Sequence, residues 1–337
     1  MEYALSGLSP DSKAGNGKSC LVRLLYSKIA RFRPVIIFDY RGEHKLSRYP
    51  NFSSRSDIVG MPDMFSVKDF GFMISDFDKA GDWISMGFPD VASSELAVLA
   101  TKVEVHNNDP ELFVELLSKL PVTEREIDYF NESYPQMQMQ RRLHEQTQMS
   151  MVTRFNFVRD YFITPEQART GEMLYIPDWG DFLAMQRVVH VDMNMTELDV
   201  TKARAYVGKI LEQIAPKISL IKPLIILEEA DKLAPNIMTG EQSPSSLKWI
   251  LEYSIKLQKF GVELMAICQD LSLLNATLVG NAHQLIFGQL PAGYNPHADL
   301  TEKLKWDIDK NYREFVYIRT GKFWREVFVP DDTPCMF

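Results

Sequence analysis

Ala14-Gly15-Asn16-Gly17-Lys18-Ser19 is the run that most restricts what this chain can fold into. It follows a strand candidate at Tyr3–Ser6 and leads into Lys18–Ala30, where Leu21, Leu24, Leu25 and Ile29 recur at helical spacing. A glycine-rich turn between strand and helix lets backbone N–H groups come close to phosphate oxygens. The helix N-terminus adds the positive end of its dipole. On this reading Lys18 reaches the β- and γ-phosphates, the Ser19 hydroxyl holds Mg2+, and Cys20 belongs to the same cradle. One position departs from the pattern: a glycine is wanted where Ser12 stands. Gly7 directly follows the first strand, and joining it to Lys13 gives a complete match, GKAGNGKS. Leu8–Ser12 is therefore read as an insertion that bulges out beside a nucleotide.

Further strands and helices alternate along the chain. Pro34–Asp39, Val188–Asp192, Pro223–Leu227, Val262–Cys268 and Gln284–Gly288 are apolar runs suited to strands buried on both faces. Val200–Ala215 and Ser245–Lys259 carry helical periodicity. Phe315–Arg319 and Arg325–Val329 read as a closing hairpin around Thr320-Gly321. The alternation predicts an α/β fold with a mainly parallel central sheet and helices on both faces. Between these core segments the chain turns helix-rich, with candidates at Glu95–Val103 and Pro110–Lys119 and a long stretch from Glu124 to Phe162. The expected organisation is a core from 1–92 and 171–337 interrupted by an inserted helical lobe at 93–170.

Composition narrows the partners. The net charge is -8 and the sequence pI about 5.4, so a nucleic-acid site has to be a local basic patch or an assembled lumen. Arg41/Lys45/Arg48 and Arg141/Arg142 are candidate phosphate contacts, though such groups are more often solvated surface. Three cysteines without metal-ligand spacing suggest neither a zinc site nor a disulfide framework. With no apolar run of membrane-spanning length and no secretory leader, the expectation is a cytoplasmic protein.

Two carboxylates follow the apolar run Leu224–Leu227: Glu228 and Glu229. In open α/β sheets ligands sit at the carboxyl ends of the strands. There Glu228 would stand on the Mg2+ side with Ser19, and Glu229 would polarise an attacking water as general base. A strand ending in two solvated acids is common by itself; the phosphate loop in the same chain is what turns the pair into a candidate site. Gln269 ends the strand predicted beside that one and could sense the γ-phosphate or the water. Asp39 and Asp192 also end strands. Asp39 is expected to stand near the site and support the loop, and Asp192 is read as a turn or capping acid.

Four segments in order, the glycine loop, IIFDYRGEH (Ile36–His44), IILEEADKLAP (Ile225–Pro235) and KFGVELMAICQDLSLLNATLVGNAHQLIFGQL (Lys259–Leu290), resemble the HerA ATPases of the HerA/FtsK superfamily. RVVHVDMNM (Arg187–Met195) fits that pattern too. The resemblance covers about 1–50 and 187–330, and leaves the lobe uncovered. It implies a RecA-like P-loop core that hydrolyses ATP with Mg2+, in which Lys18, Glu228, Glu229 and Gln269 are catalytic. It implies as well a homo-hexameric ring that pumps double-stranded DNA, with a nuclease or other effector as protein partner. Arg313, Arg319 and Arg325 are candidates for an arginine completing a neighbour's site; each also reads as an ordinary surface arginine. The position before Lys259, often arginine in that family, is Gln258. The family's N-terminal β-barrel is expected to be absent. An ATP-dependent scaffold organising an effector, and an ATPase acting on protein, remain open beside the motor.

Overall fold

The computed structural model describes residues 2–6, 22, 25–26, 28–42, 64–103, 108–135, 142–193, 200–237, 244–268, 272–282, 284–287, 315–319 and 324–328. Among them, nine strands form one sheet in the order β3-β4-β2-β5-β6-β1-β7-β8-β9. They are β1 Glu2–Ser6, β2 Val35–Asp39, β3 Met64–Val67, β4 Val188–Asp192, β5 Leu224–Leu227, β6 Glu263–Cys268, β7 Gln284–Phe287, β8 Phe315–Arg319 and β9 Trp324–Phe328. From β3 to β7 every pair in that order is parallel; β8 and β9 run antiparallel and form the expected hairpin. The fold is the α/β class with a mainly parallel sheet.

Alternation along the buried strands divides the core. Val35, Ile37, Val188, Leu224, Ile226, Met265 and Ile267 meet Val22, Tyr26 and Ala30, from the helical stretch that follows the glycine loop, in one cluster. Ile36, Phe38, Val189, Val191, Ile225, Leu227, Leu264 and Ala266 face the other way into a much larger cluster. That larger mass includes the helices between β3 and β4. Trp83 stacks on Phe113 at 5.5 Å, Phe155 stacks on Phe162 at 5.6 Å, and Phe72 meets Tyr206 edge-on at 5.1 Å. Helices Asp90–Val103, Pro110–Ser118 and Glu145–Val158 thus share buried residues with the sheet rather than closing on a core of their own. Residue 93, the expected start of the lobe, lies inside the first of these helices. Residue 170 ends helix Pro165–Thr170, which Gly171 caps with a φ of 75°.

A buried charge network ties three elements together. Lys209, on helix Val200–Ile214, places its ammonium 3.1 Å from Asp82, 3.1 Å from Glu212 and 3.4 Å from Asp78. Lys79 closes on the opposite oxygen of Glu212. Burial pushes the Asp82 carboxyl up, and the nearby Lys209 does not fully offset it. Burial also pushes Glu212 up, but Lys79 and Lys209 outweigh it and hold that carboxyl below its ordinary range.

The helix expected over Ser245–Lys259 is α-helical only to Glu252. It continues as a π turn, Tyr253–Leu257, and a 3-10 turn, Gln258–Phe260. The buried Tyr253 hydroxyl donates to the Leu211 carbonyl at 2.7 Å, and the Ser254 hydroxyl donates to that of Leu251 at 3.3 Å. The Ser254 bond is local and competes with the regular ladder where its pitch changes, while the Tyr253 bond ties that turn to helix Val200–Ile214.

Candidate active site

Strand register fixes which strand ends share an edge of the sheet. Ser6, the last residue of β1, pairs with Cys268, the last of β6. β1 and β6 therefore end side by side, and in the sequence Gly7 and Gln269 are the residues that follow them. Gly7, Lys13, Ala14, Gly15, Asn16, Gly17, Lys18, Ser19, Cys20 and Gln269 lie outside the described residues, as do the Leu8–Ser12 insertion, Lys45, Arg48, Arg141 and Arg313. Leu227, the last residue of β5, pairs with Ala266, which pairs with Ala4, so β5 ends two residues short of the Ser6–Cys268 level and Glu228 and Glu229 follow it. One strand, β6, separates the acid-bearing β5 from β1. Two strand spacings make that separation about 10 Å. Arg319 and Arg325 sit on β8 and β9, at the far end of the sheet order.

The acid pair is held by its surroundings. Glu228 is 5% exposed and Glu229 9%. The Glu228 N–H donates to the Phe38 carbonyl at 3.0 Å, stitching the end of β5 to β2. Glu229 adopts the left-handed conformation, φ 51° and ψ 49°. That conformation costs a non-glycine residue about 1–2 kcal/mol, and such outliers gather at functional sites. The following turn is pinned from three sides. The Arg204 side chain donates to Lys232 O at 2.6 Å, Ser246 Oγ to Leu233 O at 2.6 Å, and the Asn275 N–H to Ala234 O at 3.0 Å. The LAP sequence after the acids is thereby read as an anchor.

Two features escaped the sequence reading. Arg41 Nε lies 3.7 Å from Glu229 Oε1. Arg41 follows the end of β2, and β2 adjoins β5, so the strand order supplies the meeting. Second, Asp39 is fully buried and its Oδ2 is 2.8 Å from His190 Nε2, while His190 Nδ1 is 2.9 Å from Ser66 Oγ. β5 and β6 stand between Asp39's strand and β1. The described side-chain bond of Asp39 reaches β4, and the support expected of it for the loop falls outside the described residues. Asp192, expected as a turn acid, is buried and pairs in register with Asp39. Among the described residues no group of three or more His, Cys, Asp or Glu could hold a metal ion, and no helix is long and apolar enough to cross a membrane.

The family model of the helicase HerA central domain matches residues 12–214. No curated protein matches the chain. Among solved structures, the bacterial conjugative coupling protein TrwBdeltaN70 is 14% identical, with a TM-score of 0.59 over 97% of this chain and 84% of that one. VirB4 of Thermoanaerobacter pseudethanolicus is 11% identical, with a TM-score of 0.56 over 96% and 88%. The genome packaging NTPase B204 of Sulfolobus turreted icosahedral virus 2, solved with ATP-gammaS, is 11% identical over 45% and 71%, with a TM-score of 0.32. At these identities the first two likenesses concern the fold alone, and the third is too partial to argue from.

Proposed function

Because the chain belongs to the family of the helicase HerA central domain, we propose that it is an ATP-hydrolysing ring ATPase that moves double-stranded DNA. One observation carries the reading: Glu228 and Glu229 follow β5 at the edge of the parallel sheet where β1 also ends, with one strand, β6, between the two.

In this proposal the backbone of Gly7 and of residues 13–20 binds the phosphates, and Lys18 neutralises the β- and γ-oxygens. A hydroxyl and a carboxylate are oxygen donors that suit a hard cation: Ser19 and Glu228 would hold Mg2+. When bound, Mg2+ supplies charge neutralisation at the β- and γ-phosphate oxygens. Glu229 accepts the proton of the attacking water, and Gln269 orients that water or the γ-phosphate. Residues 1–92 and 171–337 form the ATPase core, with 93–170 as the helical lobe mounted on it. The assembly is a homo-hexamer, with an effector such as a nuclease as its protein partner.

The net charge of -8 favours a second reading, in which the ring is an ATP-dependent scaffold organising an effector and not a DNA motor. ATP turnover measured with and without duplex DNA, across a salt series, separates the two. A motor shows strong stimulation that fades as salt rises. Turnover indifferent to DNA, with a ring state that follows nucleotide, overturns the motor and leaves the scaffold.

A further inference from the structure

Ser66, His190 and Asp39 form a hydrogen-bonded chain across three adjacent strands. His190 lies opposite Ser66 on β3 and opposite Ile37 on β2. Its ring is 1% exposed and spans Ser66 Oγ at 2.9 Å and Asp39 Oδ2 at 2.8 Å. Asp39 is 0% exposed. A carboxylate there only accepts, so Nε2 carries the proton toward Asp39. In the neutral ring Nδ1 then accepts from the Ser66 hydroxyl. The order differs from a hydrolytic Ser-His-Asp triad, in which Nε2 faces the serine and Nδ1 the acid. The geometry is therefore one of anchoring, not of nucleophilic attack.

What is anchored is the end of β2. The Asp39 carbonyl accepts the Met193 N–H at 3.1 Å, and the Phe38 carbonyl accepts the Glu228 N–H at 3.0 Å. Two residues on, Arg41 stands 3.7 Å from Glu229. Alternation puts His190 and Asp39 on the face of Ile37 and Val188, the face covered by the stretch that follows the glycine loop. We infer that His190 is a positioning residue for the proposed hydrolysis: it fixes Asp39, and through the end of β2 it fixes the two glutamates. The inference rests on the ATPase reading above.

β2 adjoins β5 but stands three spacings from β1, about 14 Å. Loss of the anchor therefore strikes turnover and spares nucleotide binding. In His190→Leu, kcat falls about 10- to 100-fold, the scale of a small misplacement of reacting groups, while KM for ATP moves by less than about twofold. His190→Gln, which keeps a donor for Asp39, restores most of kcat. Ser66→Ala, at the outer strand, gives a smaller loss of kcat at unchanged KM. In the Arg41→Ala background, His190→Leu costs less than it does alone, because both act on Glu229.

The full-length chain is assayed for kcat and KM, and its histidine ring nitrogens are followed by NMR. Spectra showing a proton on Nε2, shifted by Asp39→Asn, support the anchor; ring signals blind to Asp39→Asn overturn it whether or not the protein turns over ATP. Wild-type kcat in His190→Leu, equal losses of binding and turnover, or failure of glutamine to rescue overturn the positioning role. A wild-type chain without ATP turnover overturns the ATPase reading and the catalytic half of this inference together, leaving the NMR result to decide the anchor.

Discussion

Arg41 Nε and Glu229 Oε1 stand 3.7 Å apart, an ion pair between the ends of two neighbouring strands. The Arg41 side chain is 43% exposed and that of Glu229 11%. A pair this open to water contributes about 0–1 kcal/mol, so it does not bind the glutamate irreversibly.

The first prediction concerns the acids. Glu229→Gln retains nucleotide binding and lowers single-turnover hydrolysis by about 10²- to 10⁴-fold, the span of a general base. Arg41→Ala shifts folding stability by less than about 1 kcal/mol. Titration calorimetry with a non-hydrolysable nucleotide and quench-flow assays read both. Should Glu228→Gln stop hydrolysis while Glu229→Gln leaves it intact, the two roles exchange.

The left-handed backbone at Glu229 opposes stability to function. Glu229→Gly relieves a conformation costing about 1–2 kcal/mol, against about 0.5–1 kcal/mol of extra chain entropy for glycine. The variant should therefore be as stable as the wild type or more so in urea unfolding, while hydrolysing no ATP. A clear loss of stability would mean the carboxylate contributes more to the fold than the strain costs.

Lys209 makes stability depend on pH in a definite direction. Glu212 is held below its ordinary 4.5, so its contribution stands above about that pH and is lost as pH falls through the folded value. Lys209 is held above its ordinary 10.5: burial pulls it down, and Asp82 and Glu212 more than reverse this. Its contribution is lost as pH rises through that higher value. Lys209→Met leaves Asp82 buried without its cation and Glu212 with Lys79 alone, and destabilises by about 3–5 kcal/mol. Both carboxyls then bind protons more readily in the folded state, so the deficit shrinks toward acid pH. Unfolding of both proteins at neutral and mildly acidic pH tests this; a deficit that grows in acid contradicts it.

Gly208 lets two helices touch. A Cβ placed there would come within 2.8 Å of Ser245 Cβ and 3.0 Å of the Ser245 carbonyl carbon, and would also collide with Ser245 Oγ. Gly208→Ala gains about 1 kcal/mol of helix propensity but overpacks the added methyl against Ser245, at a cost of about 1–3 kcal/mol. The melting temperature should fall. Gly208→Ala with Ser245→Gly should recover it.

The parallel strands were legible because five of them are continuous apolar runs. Val188–Asp192 was read residue for residue, and the other four were displaced at their ends by one residue. Met64–Val67 was not foreseen: it is short, and Phe65 on it is exposed, so it carries no buried pattern. Helices Ala80–Ser85, Trp179–Met185 and Ala276–Asn281 are likewise too short to show periodicity. At the site, Glu228 and Glu229 announced themselves by sequence position, since a strand end and an acid pair are local features. The meeting of Arg41 with Glu229 and of His190 with Ser66 and Asp39 is set by strand order, which joins residues separated by 188, 124 and 151 positions. Local pattern holds no record of that order.

The shared core of sheet and helices has a mechanical corollary. Close-packed interiors transmit strain, and Phe155 on the excursion belongs to the same buried mass as Leu227, the residue before Glu228. A load applied to those helices is therefore felt at the acids. The helices between β3 and β4 are therefore one stiff body with the sheet, with no seam between them at which such a load could be lost.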